Sequence, residues 1–213
     1  RGEEKSVSEK MILKVIQEIS RIAATTNTNN IKEALQRDAT KSTAIFVKSE
    51  MKGVQSVDTS QAVHDFARKF ATQSGLVLEF GVFKAKTTNY IAKAFEDNIV
   101  HGFDSFVGLP EVWRDGYDKG KFSLNALPKV RSNVVLHKGW FNESIPKFLA
   151  ENKPTQNVSY LHVDCDLYSS TKTIFELLKH LFLDGTIIVF DEYFNYDGWE
   201  LGEYLAFKEF IDE

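Results

Sequence analysis

"LVLEFGVFKAKTTNYIAKAFED", Leu76 to Asp97, is the stretch whose reading decides the fold. It opens on "LVLEF", a short apolar run interrupted only by Glu79. Gly81 follows, and "TTNYIAKAFED" then carries apolar residues at helical spacing. A strand that is continuously apolar, not alternating, is covered on both faces, as in a parallel sheet. A strand passing through glycine directly into a helix is the first half of a strand–helix–strand unit.

The same grammar repeats toward the carboxyl end. Short apolar runs stand at 98–103 ("NIVHGF"), 133–139 ("NVVLHKG"), 158–163 ("VSYLHV") and 185–190 ("GTIIVF"). Between them lie "SIPKFLAEN" and "SSTKTIFELLKHLF", the latter with Ile174, Leu177, Leu178 and Leu181 on one stripe. The fold class expected is α/β, a doubly wound, mostly parallel sheet. The longest loop runs from about residue 105 to 132 and holds Gly108, Gly116 and Gly120, a length typical of a lid or binding loop.

Toward the amino end the texture is helical. Residues 6–24 place Met11, Ile12, Val15, Ile16, Ile19 and Ile22 at helical spacing. Asn30 is placed to cap a short second helix, "IKEALQRDA", and a third is expected over 59–73. The division expected is a helical extension over 1–73 and a core over 74–213.

Composition bounds the function. The chain has 213 residues, 43% hydrophobic and 26% charged, with a net charge of −4 and no basic stripe. Those values describe a soluble globular chain and give no reason to expect a nucleic-acid partner. No apolar run is long enough for a membrane span and no leader is visible, so no membrane partner and a cytoplasmic location are expected. Cys165 is the single cysteine, which excludes an internal disulfide and fits a reducing compartment. The chain begins with Arg1 and stops within "KEFIDE", an amphipathic stretch, which reads as a fragment of a longer protein.

Chemistry gathers where strands end. Glu79, Asp104, Asp164 and Asp191 stand in phase with four of the five strands. In an open parallel sheet, ligands bind outside the carboxyl ends of the strands. One such acid is more often a helix cap; four in phase describe a site. In the turn "EFGVFKAKTT", Gly81 allows close backbone approach, while Ala85 and Lys86 stand where further glycines would serve a pyrophosphate. Asp104, 25 residues after Glu79, suits a ribose diol. A nucleoside-like ligand is therefore expected ahead of a dinucleotide.

Taken together, "LEFGVFKAKTTNYIA", "GFDSFVGLPEVW", "HKGWFNESIPKFL", "HVDCDLYSSTKTIFELL" and "GTIIVFDEYFNYDGW" resemble the class I S-adenosylmethionine-dependent methyltransferases, and more narrowly the macrocin O-methyltransferase (TylF-type) family. The resemblance covers Leu76 to Phe210. It implies a Rossmann-like methyltransferase fold, with the N-terminal helices as an extension and a final strand hairpin that this chain stops short of. It implies that Glu79 and Gly81 lie at the methionine end of S-adenosylmethionine, that Phe83 and Thr87 also bind the cofactor, and that Asp104 binds its ribose with Ser105 and Phe106 beside it. Gly139, Trp140 and Phe141 would lie near the adenine, and Asp164 next to the reacting methyl. It also implies magnesium held by Asp164, Asp191 and Glu192, with Asp166 as the base and Asp164 the alternative. Magnesium prefers carboxylate oxygen, and a hydroxyl bound to it becomes more acidic.

Departures from the family pattern are Ala85 in place of a glycine and Glu192 in place of a second aspartate. The five histidines show no joint metal spacing; His162 shares a strand face with Asp164, and Cys165 points away from it and is read as packed. "YFNYDGWELGEY" reads as an acceptor loop or a packed connection. The function expected is O-methylation of a small sugar or phenol-like acceptor. The alternatives are a nicotinamide oxidoreductase, which the single-glycine turn disfavours, and a non-catalytic cofactor-binding domain. The apolar stripe on the first helix is expected to help form a homodimer.

Overall fold

The computed structural model describes residues 7–26, 30–72 and 74–212, the side chains of 7–10 and 23–26 excepted. Helices α1 (Val7–Thr26), α2 (Ile31–Glu50) and α3 (Ser60–Arg68) come first. The alternating region follows as β1 (Leu76–Phe80), α4 (Lys86–Ala94), β2 (Val100–Asp104), β3 (Val134–Lys138), α5 (Phe141–Asn152), β4 (Val158–Val163), α6 (Tyr168–Leu178), β5 (Ile187–Phe190) and α7 (Glu203–Asp212). Short 3-10 turns at Lys179–Leu181 and Trp199–Leu201 bracket β5. The five strands pair in parallel in the order β3-β2-β1-β4-β5. This is the doubly wound architecture expected from the sequence.

Pleating divides the core. Leu78, Phe80, Phe103, Leu161 and Val163 pack against Ile145 and Phe148 of α5, Ile174 and Phe175 of α6, and Phe207 and Phe210 of α7. Val77, Val100, Tyr160 and Val189 face the other way, onto Ile91 and Ala92 of α4 and Phe95. All six residues of β4 are buried, which is why it reads as one apolar run. The strand order reverses between β1 and β4, and that reversal opens a crevice beyond the strand ends.

Two helices depart from expectation. α2 runs 20 residues to Glu50 and does not stop near Ala39. "STAIFV" is a weak helix former, but Ala39 and Phe46 pack with Tyr196 and Trp199, and packing outweighs propensity. α3 is shorter than expected: Thr59 Oγ1 accepts the Ala62 N–H at 3.1 Å as its cap, and the helix ends at Arg68. Gln73, at the end of the expected span, lies outside the described residues.

The chain divides into two compact units, one up to Asp38 and one from Ala39 onward. In the first, Met11, Ile12, Val15, Ile16 and Ile19 of α1 are each more than half exposed. In the second, α3 packs on the sheet, its His64 Nδ1 lying 2.6 Å from Tyr160 Oη on β4. Among the described residues no helix is long and apolar enough to cross a membrane.

Candidate active site

The crevice is built from the ends of three neighbouring strands. The Gly81 N–H donates to Phe103 O at 2.9 Å, and the Asp164 N–H donates to Phe80 O at 2.8 Å. Gly81 has φ +94°, and a Cβ there would come within 1.6 Å of the Asp164 carbonyl oxygen. Only glycine fits, because the chain leaving β1 passes against the chain leaving β4. Ala85, at φ 57°, caps α4 in the left-handed region, which explains why glycine is the commoner choice there.

Asp104 braces this turn. Its Oδ2 accepts the Val82 and Phe83 N–H groups at 2.9 and 2.7 Å, and its Oδ1 accepts the Phe106 N–H at 2.6 Å. It ties the β1–α4 turn to the start of the long loop while also facing the cavity.

The cavity holds about 720 Å³. One wall is the long loop, through Leu109, Trp113, Tyr117, Lys119 and Phe122. That loop is pinned to itself by the Leu109 N–H to Lys121 O and the Gly120 N–H to Leu109 O, both 2.9 Å. Its rings form a continuous apolar surface: Trp113 and Tyr117 centroids lie 4.9 Å apart, Tyr117 and Phe122 5.8 Å, and Phe122 and Phe83 5.3 Å. Trp140, Phe141 and Asn142 close a second side, and Ser169, Ser170 and Thr173 of α6 a third.

The floor is acidic. Asp164, Asp166, Asp191 and Glu192 all line the cavity, and among the described residues Lys119 is the only cationic side chain on its walls. Burial, and then the Asp191 charge, push the Asp164 carboxyl well above the usual carboxylate range. Burial, and then the charges of Glu192 and Asp191, lift Asp166 to about 7, with Arg114 opposing. Glu192 is raised by burial and by Asp191. A carboxylate poised near neutrality suits a general base. Mutual repulsion of this kind is also what a bound cation relieves, and carboxylate oxygen is the donor a hard divalent ion prefers. As the side chains stand, no three metal-ligand groups among the described residues converge on one point.

Of the residues the sequence singled out, Gly81, Phe83, Asp104, Ser105, Trp140, Phe141, Asp164, Asp166, Asp191 and Glu192 come together on the cavity wall. Four do not. Glu79 is fully buried and its Oε1 lies 3.0 Å from His162 Nδ1, because the pleat turns residue 79 toward α3 and α4 with Val77. Phe106 is core, packed with Val82 and Ala85. Thr87 and Gly139 are half-buried and off the wall. His162 shares the burial of Glu79; Cys165 borders the cavity but is buried, its thiol 3.3 Å from Thr171 Oγ1. Tyr193, Phe194, Tyr196 and Trp199 pack around Phe46 as a connection, off the cavity wall. Trp113 and the α6 hydroxyls lie within the quoted motifs without standing out in them, and Tyr117, Lys119 and Phe122 carry no motif; only the loop's length points to those three.

Residues 78–193, more than half of the chain, match the family described as "Methyltransferase domain". Among solved structures, the chain is similar to the crystal structure of CalS11, a calicheamicin methyltransferase, with a TM-score of 0.59 and 22% identity over 98% of this chain and 90% of that one. It is similar also to the apo structure of CalS11, described as a TDP-rhamnose 3'-O-methyltransferase of calicheamicin biosynthesis, with a TM-score of 0.54 and 21% identity over 87% of each chain. No curated protein sequence matches the chain. At such identities the structural likeness speaks for the fold, a five-stranded parallel sheet with helices on both faces. The family match carries the rest: the chain belongs to the methyltransferase-domain family and is an S-adenosylmethionine-dependent methyltransferase.

Proposed function

We propose that the protein is an O-methyltransferase of a small hydroxylated natural product, a sugar or a phenol, of the TylF type, with Asp166 as its general base. The observation that carries this reading is Asp166 itself: buried on the cavity floor, with its carboxyl lifted to about 7. The phased strand-end acids and the five motifs that resemble the TylF-type family support it, as does the crevice at the strand reversal.

The chain's residues have these roles. The turn braced by Asp104 offers its backbone and one carboxylate edge to the ribose of the cofactor. Gly81, Phe83, Trp140 and Phe141 wall the rest of it. The aromatic loop surface takes the flat or CH-rich face of the acceptor and excludes water. Asp166 accepts the proton of the acceptor hydroxyl as the acceptor oxygen takes the methyl group from sulfur; the carbon–sulfur bond breaks and its electron pair stays on sulfur, leaving S-adenosylhomocysteine. Asp164, Asp191 and Glu192 are the residues that would hold magnesium. The ion, when bound, would make a coordinated hydroxyl more acidic. A second copy of the chain is the proposed partner, through the exposed α1 stripe.

Calorimetry with S-adenosylhomocysteine, followed by transfer of a labelled methyl to a panel of sugars and phenols with and without magnesium, tests the reading. Binding plus transfer to oxygen supports it. Absence of S-adenosylhomocysteine binding overturns it, and binding without transfer to any acceptor favours the non-catalytic domain instead. Transfer that is indifferent to both magnesium and chelator removes the metal from the proposal.

A further inference from the structure

Glu203 opens α7 and is not on the cavity wall, yet it is fully buried beneath it. Its Oε1 accepts two successive backbone N–H groups, those of Cys165 at 3.3 Å and Asp166 at 3.1 Å. The Cys165 thiol points to the same oxygen at 3.7 Å. Oε2 has no partner among the described residues. Two consecutive N–H groups converging on one carboxyl oxygen form a small nest, and here the accepting oxygen comes from the chain itself. Asp166, within that nest, has φ +67°, a left-handed conformation that aspartate adopts more readily than most side-chain-bearing residues but less readily than glycine. In that conformation the N–H groups of Cys165 and Asp166 both meet the Glu203 oxygen.

We infer that Glu203 is the positioning residue of the catalytic turn, fixing the Cys165–Asp166 backbone so that the Asp166 carboxylate is presented to the acceptor hydroxyl. The inference rests on the reading of Asp166 as the base. The contact spans 37 residues, so α7 holds in place the turn that leaves β4. Burial first, with the Asp166 and Glu192 charges adding to it and the two backbone N–H groups opposing, puts Glu203 at about 8; an acid so placed is retained for its contacts and not for solvation.

Two variants separate the reach of the accepting oxygen from the acidity of the group. Glu203→Gln keeps the reach and the accepting oxygen and removes the ionisable group. Glu203→Asp keeps an acid and withdraws the oxygen by one methylene. Positioning predicts that the Gln variant keeps kcat within about threefold while the Asp variant loses about 10- to 100-fold in kcat, with KM and S-adenosylhomocysteine affinity little changed. Cys165, the single cysteine, gives a second readout that needs no acceptor. In the folded protein its labelling by 5,5′-dithiobis(2-nitrobenzoate) should be about tenfold faster in the Asp variant than in wild type, and near wild type in the Gln variant. An impaired Gln variant beside an active Asp variant, or equal labelling in all three proteins, overturns the inference. Asp166→Asn keeps the two readings apart. Full turnover in Asp166→Asn overturns the base assignment and this inference with it. An inactive Asp166→Asn beside a fully active Glu203→Asp overturns this inference alone.

Discussion

As the proposed base, Asp166 would work only when deprotonated, and burial beside Glu192 and Asp191 holds its proton up to about 7. Turnover should therefore climb as pH rises from about 6 to 8 and level off above, the limb expected of a base with a raised pKa. Asp166→Asn should lower kcat by about 10²- to 10⁴-fold and abolish that limb; a mutant that keeps a wild-type pH profile would exclude Asp166 as the base. Asp104 makes a different prediction. Its two oxygens accept three N–H groups, and an asparagine has only one accepting oxygen. Asp104→Asn leaves buried donors unmet, at about 1–3 kcal/mol. It should weaken S-adenosylhomocysteine binding by calorimetry, and unchanged affinity and melting temperature would show that the brace does not matter.

At the scale of the element, the β1–α4 turn and the end of β4 are one unit. Gly81→Ala drives a methyl into the Asp164 carbonyl, backbone against backbone, with no flexible group to yield. A loss of at least about 3 kcal/mol is expected, beyond the ordinary cost of a strained φ. Gly116 is the control: its φ is +83° but nothing lies within 4 Å of where an alanine methyl would sit. Gly116→Ala should cost only the backbone preference, roughly 1–2 kcal/mol. Denaturant titrations of the two variants giving equal losses would mean that close approach at Gly81 is unimportant. The same crowding fixes Asp164, since its carbonyl and N–H are both held against β1.

For the whole molecule, the raised acids set how stability depends on pH. Asp166 and Glu203 reach about 7 and about 8 in the folded chain. In the unfolded chain each releases its proton near 4. The native state thus binds more protons across that window, so this contribution is fully present below about 4 and is lost as pH rises through about 7 to 8. The melting temperature without divalent cations should fall between about pH 6 and 8.5 by calorimetry, at about 2–4 °C per kcal/mol. A melting temperature that rises over this range would contradict the burial of these groups. In α1, Met11, Ile12, Val15, Ile16 and Ile19 expose an apolar face, and burying each contributes about 1.5–3 kcal/mol. Light scattering at micromolar concentration should give a dimer; a monomer would remove the second copy from the proposed partners.

The alternation of strand and helix, the parallel sheet and the row of acids at strand ends were all legible in the sequence. Each is local: a period of residues, a glycine after a strand, a charge at the end of an apolar run. Which way Glu79 faces was not legible from its place near a strand end, because the pleat carries it to the α3 side and onto His162. The full length of α2 was not legible either, because its second half is helical through packing on Trp199 and not through propensity. Nor could spacing show that Trp113, Tyr117 and Phe122 share a wall, since the loop has no period to read. Glu203 is the clearest case. It stands 37 residues from the turn it holds, in a helix whose pattern marks only a core-facing stripe. A sequence records which residues are apolar and at what interval; a contact that closes across the sheet exists only once the chain has folded.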